Sequence, residues 1–435
     1  MPTLLVESGD FLFNGKPRVP EEMAAARTKA DLILRAYRRM GYDAVLPGEA
    51  DFSAGVSFLR KHGNEGIPLT CLNLVSARSG KPVFPPIRTF ERGGMRILVT
   101  GLLAEDVFPK GALSGLEWKV VPPREALAGL LTGKEAAGAD LIVVLTHIGR
   151  SGDLALARAI NHPLLIFGAH SGNPFRAPAF ESGAVIFQPR RKGTHLLEVS
   201  VGRTGRSGRK DRADFADSGM VEQYKLKKRQ LLDDMKGMDA KRRKLYENPV
   251  ESLDNAIRIA KGKRPLYSRM IPLSSRIPDD PEIAAMVAGY KATLARLARM
   301  SNRAERRSGD YLGHAACSGC HAKNFAAWRN EAHSRAFETL KKQGDGGNPD
   351  CLGCHVTGYR KGGFLPSLPG GSKELGGVGC EACHGPGKGH PGRRMSIPGE
   401  KTCAGCHGRL GPFPFSEKRL LLGCVKEARG RRVEP

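Results

Sequence analysis

The chain has 435 residues, of which 40% are hydrophobic and 6% aromatic, so its length suits two or three domains with packed cores. Lysine and arginine outnumber aspartate and glutamate by 69 to 44, giving a formal net charge of +25. No run of 18 or more apolar residues is present, so no transmembrane helix is predicted, and no nucleic-acid recognition motif accompanies the basic charge. One interpretation of the excess charge is an acidic protein partner, an anionic substrate or a membrane surface, while any single basic run is more typical of a solvated helix face.

Residues 1–202 alternate between strand and helix patterns, which predicts an α/β domain. Short apolar runs bounded by glycine, proline or polar residues predict strands. These runs are Leu4–Glu7, Ala44–Pro47, Leu69–Val75, Arg96–Gly101, Asp140–Thr146, Pro163–Gly168, Ala184–Gln188 and His195–Val201. The segments Pro20–Met40 and Gly152–Ile160 have the apolar spacing of helices.

Several of these predicted strands are followed by residues that can bind metal. The relevant segments are Leu4–Asp10, Gly48–Phe52, Ala139–His147 and Leu165–Ser171. In order and spacing they resemble the metallophosphoesterase domain of the 5′-nucleotidase family. The resemblance implies an α/β sandwich and two adjacent divalent metals, which polarise a phosphate and activate water.

The resemblance to that family's metal site is incomplete. Asp10, His147 and His170 match its ligands, whereas Glu49-Ala50 replaces a ligand Asn and a catalytic His, and Gly172 replaces a second His. The family's first Asp-x-His strand is absent from the sequence. We therefore expect an impaired domain without bound zinc or manganese. An active two-metal site and a residual one-metal site stay open, the latter formed by Asp10, Glu49, His147 and His170.

Residues 203–303 differ in composition from the domain before them and predict a linker and a helical connector. The polar, glycine-containing stretch 203–216 is typical of a linker. Residues 217–303 are rich in Lys, Leu, Met and Ala and predict a helical hairpin or short bundle, broken near Pro249 and around Pro265–Pro281. At the other end of the chain, residues 425–435 form a basic tail that we expect to be disordered.

Residues 308–424 contain the motif Cys-x-x-Cys-His four times. This spacing is that of c-type haem attachment, in which the two thiols add to the haem vinyl groups and the His becomes the proximal iron ligand. Zinc sites and disulfides also use paired cysteines, but neither explains a His after every second Cys. The predicted thioether residues are Cys317, Cys320, Cys351, Cys354, Cys380, Cys383, Cys403 and Cys406, and the predicted proximal ligands are His321, His355, His384 and His407.

The segments around these motifs resemble the tetrahaem cytochrome family of the cytochrome c-554 type. The resemblance rests on Tyr311–His314, on Trp328 with Ala332–Ala336, on Cys354–Tyr359 and on Val378–Gly387 with His390. It implies a mostly α or irregular multihaem cytochrome c domain that the haems organise. Proteins joining such a domain to a nucleotidase-like domain form a recognisable bacterial type.

The second axial ligand decides whether a haem transfers electrons or binds a small molecule. The histidines of residues 308–424 outside the motifs are His314, His333 and His390, and we predict that each is a distal ligand. With four irons and three such histidines, one iron has no predicted distal histidine. That iron is either five-coordinate or bound by Met395, Cys424 or a His of the N-terminal domain.

The favoured hypothesis is electron transfer through four haems to redox partner proteins, either acidic proteins or other multihaem cytochromes. Bacteria attach haem to thiols outside the cytoplasm, so we expect a periplasmic or extracellular protein with a signal peptide upstream of Met1. One alternative is an oxidoreductase that acts on a small nitrogen or sulfur compound at a five-coordinate haem. Others are a metal-dependent nucleotide phosphohydrolase with an attached cytochrome, and a docking role for residues 1–202.

Overall fold

The chain divides into two compact units, residues 1–16 with 33–279 and residues 17–32 with 280–435. The computed structural model describes residues 2–13, 20–108, 117–170, 178–189, 193–203, 215–260, 263–274, 276–301, 309–366 and 373–410. Most of the predicted linker, Gly172, Cys424 and the predicted tail lie outside these ranges.

The first unit is a mixture of strands and helices. Its strands are β1 (Val6–Glu7), β2 (Ala44–Val45), β3 (Leu74–Ser76), β4 (Ile87–Arg92), β5 (Met95–Leu103), β6 (Trp118–Val120), β7 (Leu141–His147), β8 (Leu165–Gly168), β9 (Ala179–Glu181), β10 (Ala184–Phe187), β11 (His195–Val201), β12 (Phe215–Asp217) and β13 (Arg264–Pro272). Its helices are α1 (Pro20–Met40, shared with the second unit), α2 (Val56–Asn64), α3 (Pro123–Leu131), α4 (Lys134–Gly138), α5 (Gly149–Ile160), α6 (Ser218–Asp234) and α7 (Ala240–Ala260). The predicted α/β architecture is confirmed.

A six-stranded sheet of order β4-β5-β7-β8-β10-β9 forms the centre of the first unit. The four inner strands are parallel, and the edge strands β4 and β9 are antiparallel to their neighbours. All of β7 is buried, as expected for an inner parallel strand that reads as one apolar run. Leu127 of α3 and Leu156 of α5 pack on this sheet, and burying each stabilises the fold by roughly 2 kcal/mol.

The predicted strand Leu69–Val75 is wrong over most of its length, because only Leu74–Ser76 forms a strand. The backbone N–H groups of Thr70, Cys71 and Leu72 donate to Val45, Pro85 and Gly101 in turn, so three separate segments share this stretch. No single neighbour supplies a ladder along it. The apolar run is nevertheless buried, because it crosses between β2 and the central sheet.

The connector contains the predicted helical hairpin, formed by α6 and α7. The predicted break near Pro249 is wrong, since α7 continues through that residue. An interior proline removes one N–H and often bends a helix rather than ending it. Part of the Pro265–Pro281 break is a strand instead, because β13 pairs antiparallel with the whole length of β11 and parallel with β12.

The second unit consists of short helices and connecting segments. Its α-helices are α8 (Pro281–Ser301), α9 (Ala322–Asn330), α10 (Ala336–Lys342), α11 (Pro349–His355), α12 (Cys380–His384) and α13 (Glu400–Leu410). Single 3₁₀ turns cover His314–Cys317, Ala332–Arg335 and Lys373–Leu375. Its small apolar core is formed by Tyr311, Leu340, Leu352, Val356, Phe364 and Leu375. The predicted mostly helical and irregular character is confirmed.

None of the helices in the described ranges has the length and apolar character needed to cross a bilayer.

Candidate functional site

Four of the predicted metal-binding residues lie at the carboxyl ends of neighbouring strands in the first unit. Asp10 follows β1 and Glu49 follows β2, while His147 ends β7 and His170 follows β8. The parallel pair β1 and β2 forms a two-stranded sheet of its own, whereas β7 and β8 are parallel neighbours in the six-stranded sheet. Ligands commonly bind at the carboxyl ends of parallel strands. Asp10 and His170 have positive φ angles of 60° and 74°, a conformation that few non-glycine residues adopt outside functional sites.

The four side chains form a cluster around the Glu49 carboxylate. Oε2 of Glu49 lies 2.6 Å from Nε2 of His147, and Oε1 lies 3.1 Å from Nδ1 of His170. Oδ2 of Asp10 lies 3.4 Å from the same Nε2 of His147. One ligand atom from each of Glu49, His147 and His170 falls within a 4.8 Å span, which is small enough for one cation.

His147 is oriented so that Nε2 faces the carboxylates. Its Nδ1 lies 2.8 Å from the backbone carbonyl oxygen of Ser8, which makes Nδ1 the donor nitrogen and leaves Nε2 as a potential ligand. Nε2 of His147 and Oε2 of Glu49 are both buried and lie 2.6 Å from each other. An imidazole nitrogen and a carboxylate oxygen placed in this way can share either a proton or a metal ion.

The charges in this cluster act on one another. Burial alone would lower the pKa of His147, but the nearby Asp10 and Glu49 carboxylates outweigh it and raise the pKa to about 10. Burial would raise the pKa of Glu49, but its contacts with His147 and His170 hold it below the ordinary range. The cluster therefore favours positive charge at its centre, whether a proton on His147 or a metal ion.

Asp51 is a site residue that the sequence analysis missed. Its fully buried carboxylate accepts backbone N–H groups from Asp10 at 2.9 Å, Leu12 at 2.8 Å and Gly48 at 2.9 Å. Burial raises the pKa of Asp51 to about 7, against the lowering effect of these donors. Asp51 thus joins the segment after β1 to the turn after β2, and so positions both Asp10 and Glu49.

The haem-attachment motifs lie on short helical segments of the second unit. The second, third and fourth motifs fall within α11, α12 and α13, and the first begins in the turn His314–Cys317. Residues three apart on a helix share a face, so helical backbone places both thiols of a motif on one side. The local structure therefore suits thioether attachment at each motif.

Two of the proximal histidines are held through Nδ1. Nδ1 of His355 lies 3.0 Å from the carbonyl oxygen of Ala336, and Nδ1 of His384 lies 2.9 Å from that of Ser396. A metal-binding imidazole commonly donates its other N–H to a carbonyl, which fixes the ring orientation and the tautomer. In both residues this leaves Nε2 as the nitrogen that can serve as the predicted iron ligand.

Two of the predicted distal histidines lie opposite proximal ones. The ring centroids of His321 and His390 are 6.0 Å apart, and those of His407 and His333 are 5.9 Å apart. An imidazole nitrogen binds a metal at about 2 Å, so two rings on opposite sides of one ion have centroids about 6 Å apart. These separations fit one iron between each pair.

The third predicted distal ligand, His314, is not paired with a histidine ring within the described residues. Its ring centroid lies 4.6 Å from that of Trp328 and 6.1 Å from that of Phe325. The preceding residue, Gly313, is hydrogen-bonded to Glu381 in the third motif. His314 therefore lies beside the third attachment helix.

The attachment cysteines of different motifs also approach one another. The turn His314–Cys317 contacts α12, which begins at Cys380, and α11 contacts α13, so Cys317 lies near Cys380 and Cys354 lies near Cys406. The first motif is thus next to the third, and the second is next to the fourth.

These features resemble two classes of domain in one chain, a phosphoesterase-like α/β domain and a domain like those of the c-type cytochromes. Residues 316–385 match the family model described as cytochrome c554 and c-prime. Over 94 residues the chain is 39% identical to cytochrome c-554 of Nitrosomonas europaea, covering 18% of this chain and 39% of that protein. This likeness implies c-type haem as the cofactor.

The N-terminal part is similar to 5′-nucleotidases. Over 187 residues the chain is 30% identical to the 5′-nucleotidase of Vibrio cholerae, covering 39% of this chain and 32% of that enzyme. A crystal structure of a 5′-nucleotidase precursor from Thermus thermophilus aligns with a TM-score of 0.46 and 17% identity, over 71% of this chain and 52% of that one. Both resemblances predicted from the sequence are confirmed, although the chain spans less than half of each curated relative.

Proposed function

We propose that the chain is an exported electron-transfer protein with four covalently bound haems. The observation that carries the proposal is the pairing of His321 with His390 and of His407 with His333, at separations that one shared iron requires. Iron with two histidine ligands is six-coordinate and exchanges electrons without binding a substrate.

The arrangement of the motifs supports passage of electrons between the haem sites. Cys317 lies beside Cys380, and Cys354 lies beside Cys406, so the attachment points are adjacent in two pairs. The backbone carbonyls of Ala336 and Ser396 fix the rings of His355 and His384. Rigid ligands reduce the rearrangement that accompanies each electron transfer, and close attachment points shorten the distance that the electron crosses.

Haem content tests the attachment sites directly. We expect four haems per chain in the purified holoprotein by pyridine haemochrome and intact mass. The double variant Cys351→Ala/Cys354→Ala should lose one of them, because vinyl attachment at the second motif needs both thiols. As a control, the buried Cys71, which lies outside the motifs, should be replaceable by Ala without loss of haem. An unchanged haem content in the double variant would contradict the assignment.

A second candidate function is binding of a small molecule at the haem of the second motif. Among the described histidines, none has its ring opposite that of His355. The three predicted distal ligands are assigned to the other motifs, because His390 faces His321, His333 faces His407 and His314 lies beside the third motif. A five-coordinate iron leaves one position open to a small nitrogen or sulfur compound.

Carbon monoxide and nitric oxide test this second candidate. The reduced holoprotein should bind about one carbon monoxide per chain, since an open ferrous haem binds it without displacing a protein ligand. A His355→Ala variant that keeps its thioether-bound haem should change the bound spectrum. A spectrum that neither gas alters would rule out an open iron.

A third candidate concerns the cluster of the N-terminal unit. We propose that Asp10, Glu49, His147 and His170 bind one divalent cation and that two-metal phosphate hydrolysis is lost. The convergence of ligand atoms from Glu49, His147 and His170 within 4.8 Å of one another supports this cation site. Carboxylate and imidazole ligands suit zinc or manganese. With one cation, phosphate would be polarised from one side and the attacking water would lack its own metal.

Metal analysis and phosphatase assays separate these alternatives. Purified protein dialysed with manganese or zinc should retain about one ion per chain beyond haem iron, and Glu49→Ala should abolish retention. Glu181→Ala, at an acidic residue of the same unit outside the cluster, is the matched control. Release of phosphate from nucleotides with either metal would instead support an active phosphohydrolase.

The net charge of the chain indicates the kind of redox partner that it would bind. The net charge of +25 exceeds the offset that four haems, with two propionates each, supply, so we propose an acidic protein or another multihaem cytochrome as partner in the periplasm or outside the cell. The rate of electron exchange with an acidic partner should fall as salt is raised. A rate independent of ionic strength would contradict a charge-guided encounter.

A further inference from the structure

Glu381 is a buried acidic residue inside the third haem-attachment motif. It stands between Cys380 and Ala382 on α12, and only 3% of it is exposed. The attachment chemistry needs the two cysteines and the histidine of a motif and places no demand on this position. Within the described residues no lysine or arginine forms a salt bridge with it. A buried carboxylate without a cation partner is costly unless hydrogen bonds satisfy it.

Three backbone N–H groups satisfy this carboxylate. Oε1 accepts from Leu312 at 2.8 Å and from Gly387 at 2.7 Å, while Oε2 accepts from Gly313 at 2.8 Å. Hydrogen bonds to a charged acceptor are about twice as strong as those between neutral groups. Glu381 therefore holds two segments, one before the first motif and one after the third.

Each of these segments carries a predicted distal histidine. His314 directly follows Gly313, and the N–H of His390 donates to the carbonyl oxygen of Gly387 at 3.0 Å. A second link joins the same segments through Lys388 and Asp310, which form an exposed ion pair and a backbone hydrogen bond of 3.0 Å from the N–H of Lys388 to the carbonyl oxygen of Asp310. Exposed ion pairs stabilise by at most about 1 kcal/mol, so the three hydrogen bonds to the buried carboxylate are the larger part of the connection.

The two glycine donors are needed for this close approach. A Cβ on Gly387 would lie 3.0 Å from Oε1 of Glu381 and 3.1 Å from Cδ1 of Leu312. Gly313 has φ +91°, and a Cβ there would lie 2.8 Å from Cβ of Glu374. The local sequence is thus shaped around contact with the carboxylate.

We propose that Glu381 is a positioning residue that sets the distal ligands of two haems at once. Through Gly313 it orients His314 beside the third motif, and through Gly387 it holds His390 opposite His321 of the first. The proposal rests on the bis-histidine ligation proposed above. It makes the coordination of two irons depend on one side chain that touches neither of them.

The test compares holoprotein variants by spin state and by carbon monoxide binding. Glu381→Ala leaves three buried N–H groups unpaired and should release both distal histidines. We expect bound carbon monoxide to rise from about one to about three per chain, with a gain in high-spin signal. Added imidazole should restore the low-spin spectrum by occupying the vacated positions, and a far-UV circular dichroism spectrum equal to that of wild type would exclude unfolding as the cause. Glu381→Gln keeps the shape but offers one oxygen, and should give an intermediate gain.

Two further variants serve as a matched control and as an alternative to Glu381→Ala. Glu331→Gln makes the same chemical change at an exposed glutamate of the same unit, and should leave both readouts unchanged. If Glu381→Ala fails to mature, Gly387→Ala retains the carboxylate and displaces one segment, so it should open the first haem alone.

The possible outcomes distinguish failure of the positioning role of Glu381 from failure of the proposed bis-histidine ligation. A Glu381→Ala protein with four haems and wild-type spin state and carbon monoxide binding would overturn the positioning role. A wild-type protein that is itself entirely high-spin would instead overturn the bis-histidine ligation.

Discussion

Two buried carboxylates, Asp51 and Glu381, have the same role in different units. Each accepts three backbone N–H groups, and each joins segments that carry candidate metal ligands. Their donors include residues 41 and 69 positions away in the sequence. Such long-range contacts leave no local pattern in the sequence, which is why neither residue was predicted from it.

Replacement of Asp51 should destabilise the first unit. Asp51→Ala leaves the N–H groups of Asp10, Leu12 and Gly48 buried without acceptors, each costing about 1–3 kcal/mol. We expect a loss of roughly 3 kcal/mol or more in the free energy of unfolding, measured by denaturant titration of the full holoprotein with far-UV circular dichroism. Asp106→Ala, at an exposed aspartate of the same unit, should change it by less than about 0.5 kcal/mol. Equal effects from the two variants would contradict a special role for Asp51.

The haem-attachment residues, by contrast, could be predicted from the sequence. The pattern from Cys317 to His321 is local, and its spacing is itself the chemical requirement. The candidate ligands Asp10, Glu49, His147 and His170 could also be predicted, because each follows or ends an apolar strand. Their convergence on Glu49 required the three-dimensional arrangement of four separate strands.

At the scale of secondary structure, a strand could be predicted where the same neighbouring strand pairs with it along its length. It could not be predicted where the hydrogen-bond partner changes from residue to residue. The strand β11 has one partner along its full length, and its predicted limits His195–Val201 match. The Leu69–Val75 run has several partners, so its apolar character indicated burial without a strand. The limits of an element follow from its neighbours as well as from its own residues.

Thr357 links the segments of the second and third motifs. Its buried hydroxyl donates to the carbonyl oxygen of Gly377 at 2.8 Å and accepts the N–H of Gly379 at 2.9 Å. Thr357→Val removes both bonds at nearly constant volume and should cost about 2 kcal/mol. Thr357→Ser keeps the hydroxyl and should recover most of this loss, as chemical denaturation of the holoprotein can measure. A valine variant as stable as wild type would show that the link contributes little.

The finding that helix α7 continues through Pro249 can be tested by replacing this proline. Proline in a helix interior is about 3 kcal/mol less favourable than alanine, and Pro249 is exposed within α7. Pro249→Ala should therefore slow amide hydrogen exchange across residues 240–260. Glu251→Ala, two positions along the same helix, is the control and should alter exchange much less. Unchanged exchange in the proline variant would indicate that the helix ends near residue 249.

At the scale of the whole molecule, we propose that one chain combines two kinds of metal site. The first unit brings carboxylate and imidazole side chains together at the ends of four strands, and the second repeats the Cys-x-x-Cys-His motif beside paired histidines. The formal charge of +25 supports the proposal of an acidic redox partner.

Low-temperature electron paramagnetic resonance of the oxidised holoprotein, with each signal quantified per chain, tests the central claim most directly. Bis-histidine ligation of the first, third and fourth haems predicts about three low-spin ferric signals and about one high-spin signal from the second. His333→Ala should convert one low-spin signal to high-spin without loss of haem. A wild-type spectrum dominated by high-spin iron would contradict the account.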